Sequence, residues 1–440
     1  MNRPVRVACT MAPPGYFGKR DSAASEELFV ALEAQGFDVL PVPTQPFFTR
    51  NLCEIDASIR RVREFAPSCV FGFPNAGYPL SCRVEMAETS VNVFTDILKI
   101  PLVLAWDDPL GQFSGQLLGR LPKSPQDSKP GVRQQVVSAL ASPLIRHVAW
   151  DSGHIDAVTS LGWVARERIA LHGLPALEPY VAAGEESNSR NGFDHDLAFF
   201  GNVYVDQLVR DPLAGEKRLV KIAETVAAEK IRCFSAPAWK LFNDAIADMS
   251  EVNRHEMKLD PDETFFWAAY RFVVWNYALT KLRIAVLRGV RRPVAFYGAF
   301  ADPGSVPALQ NMENVRYMGV LDYRTEMPQS FRRTRITIDA THTLAQRSAP
   351  GKFLECFAAG GFMLLDRRPD LVALLGPRVE IVMYRDLDEL NDKIDYFLAN
   401  EHERQAIADE FRQYIKDKMR LSDWLADLYD IAIDRLPDAT

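Results

Sequence analysis

The chain has 440 residues, 48% of them hydrophobic and 25% charged, with 24 Gly and 28 Pro, values that exclude a disordered, collagen-like or coiled-coil organisation. Lys and Arg total 51 against 58 Asp and Glu, a net charge of −7, so the cationic surplus of a bulk nucleic-acid binder is missing. The length suits two or three domains, each able to bury its own core.

Six cysteines (Cys9, Cys53, Cys69, Cys82, Cys233 and Cys356) are scattered without a CxxC pair, several inside apolar runs where a thiol behaves as a small hydrophobe. A reducing, cytoplasmic compartment is expected. The start, MNRPVRVACTMAPPG, is too short and interrupted in its apolar part for an export signal. The most apolar stretch, Phe265 to Val290, contains Arg271, Lys281 and Arg283, which argues against a membrane span.

In chain order, apolar runs at Val5–Cys9, Asp38–Val42, Cys69–Phe73, Pro101–Trp106, Ile145–Trp150 and Arg168–Leu171 read as strands, with helical segments at Glu26–Gln35 and Val91–Leu98 among them. Strands that are continuously apolar and alternate with helices predict a parallel sheet covered on both faces. A polar, small-residue stretch from Val181 to His195 reads as a linker. Beyond it, a strand at Asp196–Phe200 is followed by helix-patterned sequence from Lys217 to Leu287. Strands resume at Pro293–Tyr297, Val315–Met318, Ile336–Asp339, Phe362–Leu365 and Val379–Met383, and amphipathic helix fills Asp386 to Leu436. The expected architecture is α/β. It comprises a Rossmann-like domain over 1–190 and a second over 191–420 with a helical insertion at about 213–287. A last helix over 421–440 crosses back to the first domain. Ligands of such sheets bind beyond the carboxyl ends of the strands, so the crevice between the halves is the expected site.

The most informative stretch is Ile336 to Asp366, ITIDATHTLAQRSAPGKFLECFAAGGFMLLD: strand, polar loop, helix, Gly-Gly stop, strand. Ser348 is a candidate helix cap and Pro350 suits a first turn. The unpaired amides of a helix start at Gly351, with Lys352 beside them, favour a phosphate. About one turn in, Glu355 can accept hydrogen bonds from the vicinal hydroxyls of a sugar. The same residues also suit an ordinary capped helix, and the pattern is neither GxGxxG nor a Walker loop, so the residues alone leave both readings open.

The segment SAPGKFLECFAAGGFMLLD and the sequence after it resemble the C-terminal domain of the CgeB-like (spore-protein-type) glycosyltransferases, which are related to family 1 glycosyltransferases and have the GT-B fold. WDDP at Trp106–Pro109, DLAFFGNVY at Asp196–Tyr204, VAFYG at Val294–Gly298 and YMGVLDYRTEMPQSF at Tyr317–Phe331 agree in order. The resemblance is strong from Asp196 to about Asp409 and weak before Trp106. It implies two Rossmann-like domains about a cleft, with the donor nucleotide sugar on the second and the acceptor on the first. It also implies that no divalent cation or other cofactor is required. By the resemblance Glu355 binds the ribose. Relatives carry an acidic residue eight positions earlier, where this chain has Arg347, which departs from the pattern and could meet the diphosphate instead.

Other candidates follow from position. Gly201 and Asn202 end the first strand of the second half, where a backbone can approach a ligand. Gly298 ends the next strand. Tyr317, Gly319 and Val320 would line a base pocket, with Tyr323 and Glu326 following on a turn, and Arg283 would reach the donor phosphates. His342 should emerge at the crevice, either as an imidazolium facing the leaving diphosphate or as a neutral donor to a sugar hydroxyl. On the acceptor side, the loops Pro13–Gly18 and Asp107–Gly111 open to the crevice. Asp107 is the preferred general base, with Asp108, Asp151 and His154 competing and a capping role favoured for Asp151. Trp239, Trp267 and Trp275 read as core or interface.

The expected activity is hexosyl or N-acetylhexosaminyl transfer from a nucleoside-diphosphate sugar, UDP-linked, to an unidentified hydroxyl. The acceptor could be a glycan, a lipid-linked glycan, a protein such as flagellin, or a small molecule. A homodimer is open. The alternatives are a GT-B-fold nucleotide-sugar epimerase and a catalytically silent nucleotide-sugar-binding scaffold.

Overall fold

The computed structural model describes residues 5–11, 28–72, 77–86, 89–185, 192–203, 205–298 and 312–433. The loop Pro13–Gly18 lies outside them. Six parallel strands form the first sheet: β1 (Arg6–Met11), β2 (Asp38–Pro43), β3 (Cys69–Gly72), β4 (Leu102–Ala105), β5 (Ile145–Ala149) and β6 (Ile169–Leu171). Their spatial order is β2-β1-β3-β4-β5-β6. All four residues of β3 and of β4 are buried, as parallel strands covered by helices on both faces require.

The second sheet contains β7 (His195–Phe200), β8 (Val294–Tyr297), β9 (Val315–Gly319), β10 (Thr334–Asp339), β11 (Met363–Asp366) and β12 (Met383–Tyr384). The order is β9-β8-β7-β10-β11-β12, the classical doubly wound arrangement, and every pair is parallel. In that order the winding reverses between β7 and β10. The carboxyl ends of these two strands, Phe200 and Asp339, therefore flank the switch point where an α/β sheet binds ligands.

Three elements depart from the sequence reading. Val91–Leu98 is not one helix: Thr89–Asn92 pairs antiparallel with Arg83–Met86, and a π-turn over Val93–Ile97 follows, started by Asn92 Oδ1 accepting from the amides of Phe94 and Thr95. Val379–Met383 is a 3₁₀ turn over Pro377–Val382 before the two-residue β12; Val379 and Val382 are buried three residues apart, the 3₁₀ repeat, which mimics an apolar strand run. The linker stretch starts later than its composition indicates, because Glu178–Glu185 is helix.

Between β7 and β8 lies a body of helices whose apolar residues join the core of the first half. Trp163 and Trp267 pack with ring centroids 4.9 Å apart, and Trp267 stacks on Trp239. Polar contacts fix the same seam: Asp262 Oδ1 accepts from the Arg133 amide at 2.8 Å, and Thr264 Oγ1 from the Lys129 amide at 2.9 Å. The segment 264–289 is helical throughout, with a π stretch over Arg271–Ala278. The Val274 carbonyl in that stretch accepts from Thr343 Oγ1 at 2.6 Å, tying it to the loop after β10. The final helix, Leu421–Ile433, contacts β4; Phe37 meets Tyr429 edge-on, and His172 Nε2 bonds Asp427 at 2.9 Å.

Candidate functional site

The ends of β7, β8 and β10 converge on one floor. Gly298, just past β8, donates its amide to the Gly319 carbonyl at 3.0 Å, and the Gly201 amide bonds the Tyr297 carbonyl at 2.9 Å. A Cβ at Gly298 would sit 2.0 Å from the Gly201 carbonyl oxygen, so only glycine allows these two strand ends to approach so closely. Arg283, buried beneath, donates to the carbonyls of Asn202 at 2.6 Å and Ala340 at 3.4 Å, joining the loops after β7 and β10. Lys352 does the same from the helix side, bonding the Phe200 carbonyl at 2.7 Å and pairing with Asp339. Gly201, Asn202, Arg283, Gly298, Gly319, His342 and Lys352 are thus gathered at the switch point.

The helix Gly351–Ala358 starts there. Its N-cap residue is Pro350, with no side-chain cap, so Ser348 does not have the capping role its position suggested. The first amides of the helix consequently have no capping side chain. Glu355 is buried one turn in and accepts a hydrogen bond from the Tyr323 hydroxyl, while Tyr180 Oη holds the Tyr323 carbonyl at 2.7 Å. Tyr317 and Val320 are exposed on the far side of the floor, and Tyr317 Oη lies 3.5 Å from the Gly298 carbonyl.

His342 stands at the crevice with its ring edge-on to Trp275, centroids 5.8 Å apart. Packing around the ring, and then the charges of Arg283 and Lys352, hold its pKa well below the ordinary histidine value. Nδ1 accepts from the Leu344 amide at 3.2 Å, which leaves the proton on Nε2. Burial, and then the charges of Arg283 and Lys352, oppose a second proton on the ring, which favours the neutral-donor reading of His342 over the imidazolium one. Arg347 is half-exposed and turned to Asp370, with Nε 3.5 Å from its carboxylate.

The two halves meet beside this site. Asp151 Oδ2 accepts from the consecutive amides of Gln346, Arg347 and Ser348 at 2.8–2.9 Å, while Oδ1 caps its own helix through Gly153. Ser152 donates through both its amide and its hydroxyl to Asp370, and His154 Nε2 donates to the Leu344 carbonyl at 2.8 Å. The loop before the helix Gly351–Ala358 is therefore held from the first half. Nothing in the sequence signalled this, since the partners lie nearly 200 positions apart. Behind the loop, Asp366 and Arg368 form a fully buried ion pair: Asp366 Oδ1 takes the Thr341 amide at 2.7 Å, and Arg368 Nη1 donates to the Ala345 carbonyl at 3.0 Å. A carboxylate ending the apolar run MLLD was the available signal for it.

Asp107, the preferred base in the sequence, is exposed to solvent. Its neighbour Asp108 is buried. Among the described residues no group of three or more His, Cys, Asp or Glu side chains is placed to hold a metal ion, and no helix is long and apolar enough to cross a membrane.

Residues 281–430, which contain the helix and, of the floor, the ends of β8 and β10, match the family model described as glycosyl transferase-like. No curated protein sequence matches the chain. The fold is that of a glycosyltransferase from Rickettsia africae, with a TM-score of 0.51 at 8% identity, covering 98% of this chain and 100% of that one. HepE from Anabaena, solved with UDP and glucose, aligns over 97% of this chain and 99% of its own with a TM-score of 0.48 and 12% identity. Two facing six-stranded parallel sheets with surrounding helices are the GT-B fold.

Proposed function

We propose that the protein transfers a sugar from a nucleoside-diphosphate sugar, UDP-linked, to an acceptor hydroxyl without a divalent cation. The observation that carries this reading is the convergence, at the switch point of a classically ordered sheet, of an uncapped helix start at Gly351 and a buried carboxylate one turn in, Glu355. The diphosphate sits against the Gly351 and Lys352 amides, where helix amides and partial positive charge meet an anion. The ribose hydroxyls donate to Glu355, and the base lies over Gly319 and Val320 beside Tyr317. His342 presents its Nε2 proton to the donor.

When the bond from the sugar to the diphosphate breaks, negative charge grows on the leaving phosphate. Asp339 offsets the Lys352 charge, so the helix start and Arg283 under the floor supply most of the compensation. That supply is fixed in place before the reaction, which is why the transfer needs no metal here. The glycosyl transferase-like match over the same residues supports the reading.

A thermal-shift panel of nucleotides and nucleotide sugars tests it. A ligand that binds only the native state at 100 times its Kd stabilises by about 2.7 kcal/mol. UDP and a UDP-sugar should raise the melting temperature, and UDP should be released from that sugar equally well in EDTA. Release abolished by EDTA would overturn metal independence. Binding without release would favour a nucleotide-sugar-binding protein, interconversion of UDP-sugars without release an epimerase, and no shift with any nucleotide would overturn the donor site.

A further inference from the structure

Asp151 follows β5 in the first half, is fully buried, and its carboxylate serves two backbones at once. Oδ1 accepts from the Gly153 amide at 2.8 Å and so caps the helix Ser152–Ser160. Oδ2 accepts from the amides of Gln346 at 2.8 Å, Arg347 at 2.9 Å and Ser348 at 2.9 Å, all in the second half. Successive amides aimed at one point form a nest, the arrangement with which a backbone binds a phosphate oxygen. Here the nest is filled by a carboxylate of the other half.

The contact is shaped for close approach. A Cβ at Gly153 would lie 2.5 Å from Gln346 Cβ and 3.2 Å from Arg347 Cγ, so a side chain at 153 would push the loop off the carboxylate. The tie is also returned. Asp370, in the second half, accepts from the Ser152 amide at 2.7 Å and the Ser152 hydroxyl at 2.9 Å, while its own amide donates to the Arg347 carbonyl at 3.1 Å. Each half thus places a carboxylate on the backbone of the other. From the insertion, the Trp239 amide donates to Gln346 Oε1 at 2.9 Å.

Gly351, where the helix begins, stands three residues beyond the last amide of the nest. Ala349 between them is buried, and Pro350, at the N-cap, has φ −66° and no side-chain cap. With no cap of its own, the helix start takes its direction from the segment that enters it, and that segment is pinned at Ser348. The aim of the Gly351 and Lys352 amides is therefore set from the first half. The contacts assigned to ribose and base are held separately, Glu355 by the Tyr323 hydroxyl and the Gly319 carbonyl by the Gly298 amide.

We propose that Asp151 is a positioning residue for the donor diphosphate, an inference that rests on the donor reading above. It does not touch the nucleotide. Its bonds to the loop hold the helix start where the phosphates meet it, so the phosphate affinity of the second half depends on a side chain of the first.

Calorimetry on the full chain with UDP and with uridine, which lacks the phosphates, separates the two parts of the ligand. Asp151→Asn keeps the size of the side chain, but one set of amides then meets an NH2 group in place of an oxygen. UDP should bind about tenfold more weakly, the effect of losing one hydrogen bond to a charged group, and uridine as before. The preference for UDP over uridine then shrinks by the same factor, a change that a purely structural contact would not produce. Gly153→Ala leaves the carboxylate in place and displaces the loop by contact, so the same selective loss is expected; it decides the matter alone if Asp151→Asn does not fold. Equal losses for UDP and uridine, or a lowered melting temperature with both affinities unchanged, overturn the proposal. Wild-type protein that binds neither ligand overturns the donor reading itself, and the proposal falls with it.

Discussion

Replacing Arg368 by alanine should destabilise the protein by about 3–5 kcal/mol, the usual cost of removing one partner from a buried ion pair. Neither Arg368 nor Asp366 reaches solvent, and the pair has no water to fall back on. Asp366 also receives the Thr341 amide, and Arg368 also holds the Ala345 carbonyl, so both ends of the loop bearing His342 hang on this pair. Lys230, fully buried nearby, has its pKa brought down to about 7 by burial and then by the Arg368 charge. Loss of Arg368 lets Lys230 hold its proton more firmly and compensates part of the orphaned Asp366 charge. The double substitution Asp366→Asn with Arg368→Met leaves no buried carboxylate without its partner and should cost less than Arg368→Ala alone. The shift in urea midpoint reads both; a single-substitution cost below about 1 kcal/mol would mean that the loop is held by other contacts.

Glu355→Gln is the substitution with the largest expected effect on binding. A hydrogen bond to a charged group contributes about 1.5–3 kcal/mol, so neutralising the ribose acceptor should weaken UDP about 10- to 100-fold. The same change relieves a buried charge and keeps an oxygen for the Tyr323 hydroxyl. The melting temperature without ligand should hold or rise while affinity falls, and that opposite movement separates a ligand-binding role from a structural one. Calorimetry with UDP checks the first part. Unchanged affinity would move the ribose elsewhere.

What the sequence made legible was local. Continuous apolar runs such as Cys69–Phe73 and Pro101–Trp106 located buried parallel strands, which demand apolar residues on both faces, while the 3₁₀ turn at Pro377–Val382 shows that a short apolar run can also belong to another element. The run from Ile336 to Asp366 located the strand, the loop and the helix start of the site for the same reason. What stayed hidden depends on long-range packing. The three amides of 346–348 meet Asp151 only because the two halves dock, and the insertion joins the core of the first half through Trp163 and Trp267, far apart in sequence. Between two adjacent aspartates, the sequence offered no means to tell that Asp107 would face solvent and Asp108 the interior, since that depends on how the chain turns after β4 into the helix Pro109–Leu118. His342 was placed at the crevice from its strand alone. The lowering of its pKa depends on how deeply the ring is packed and then on Arg283 and Lys352, which arrive from two other elements.

The most direct test of the donor site is a crystal structure with UDP bound. The account predicts the diphosphate on the Gly351 and Lys352 amides, the ribose hydroxyls on Glu355, and the uracil over Gly319 and Val320. UDP bound away from the ends of β7 and β10, for example in the open 640 Å³ cavity bounded by Arg133, Trp163 and Asp262, would contradict it.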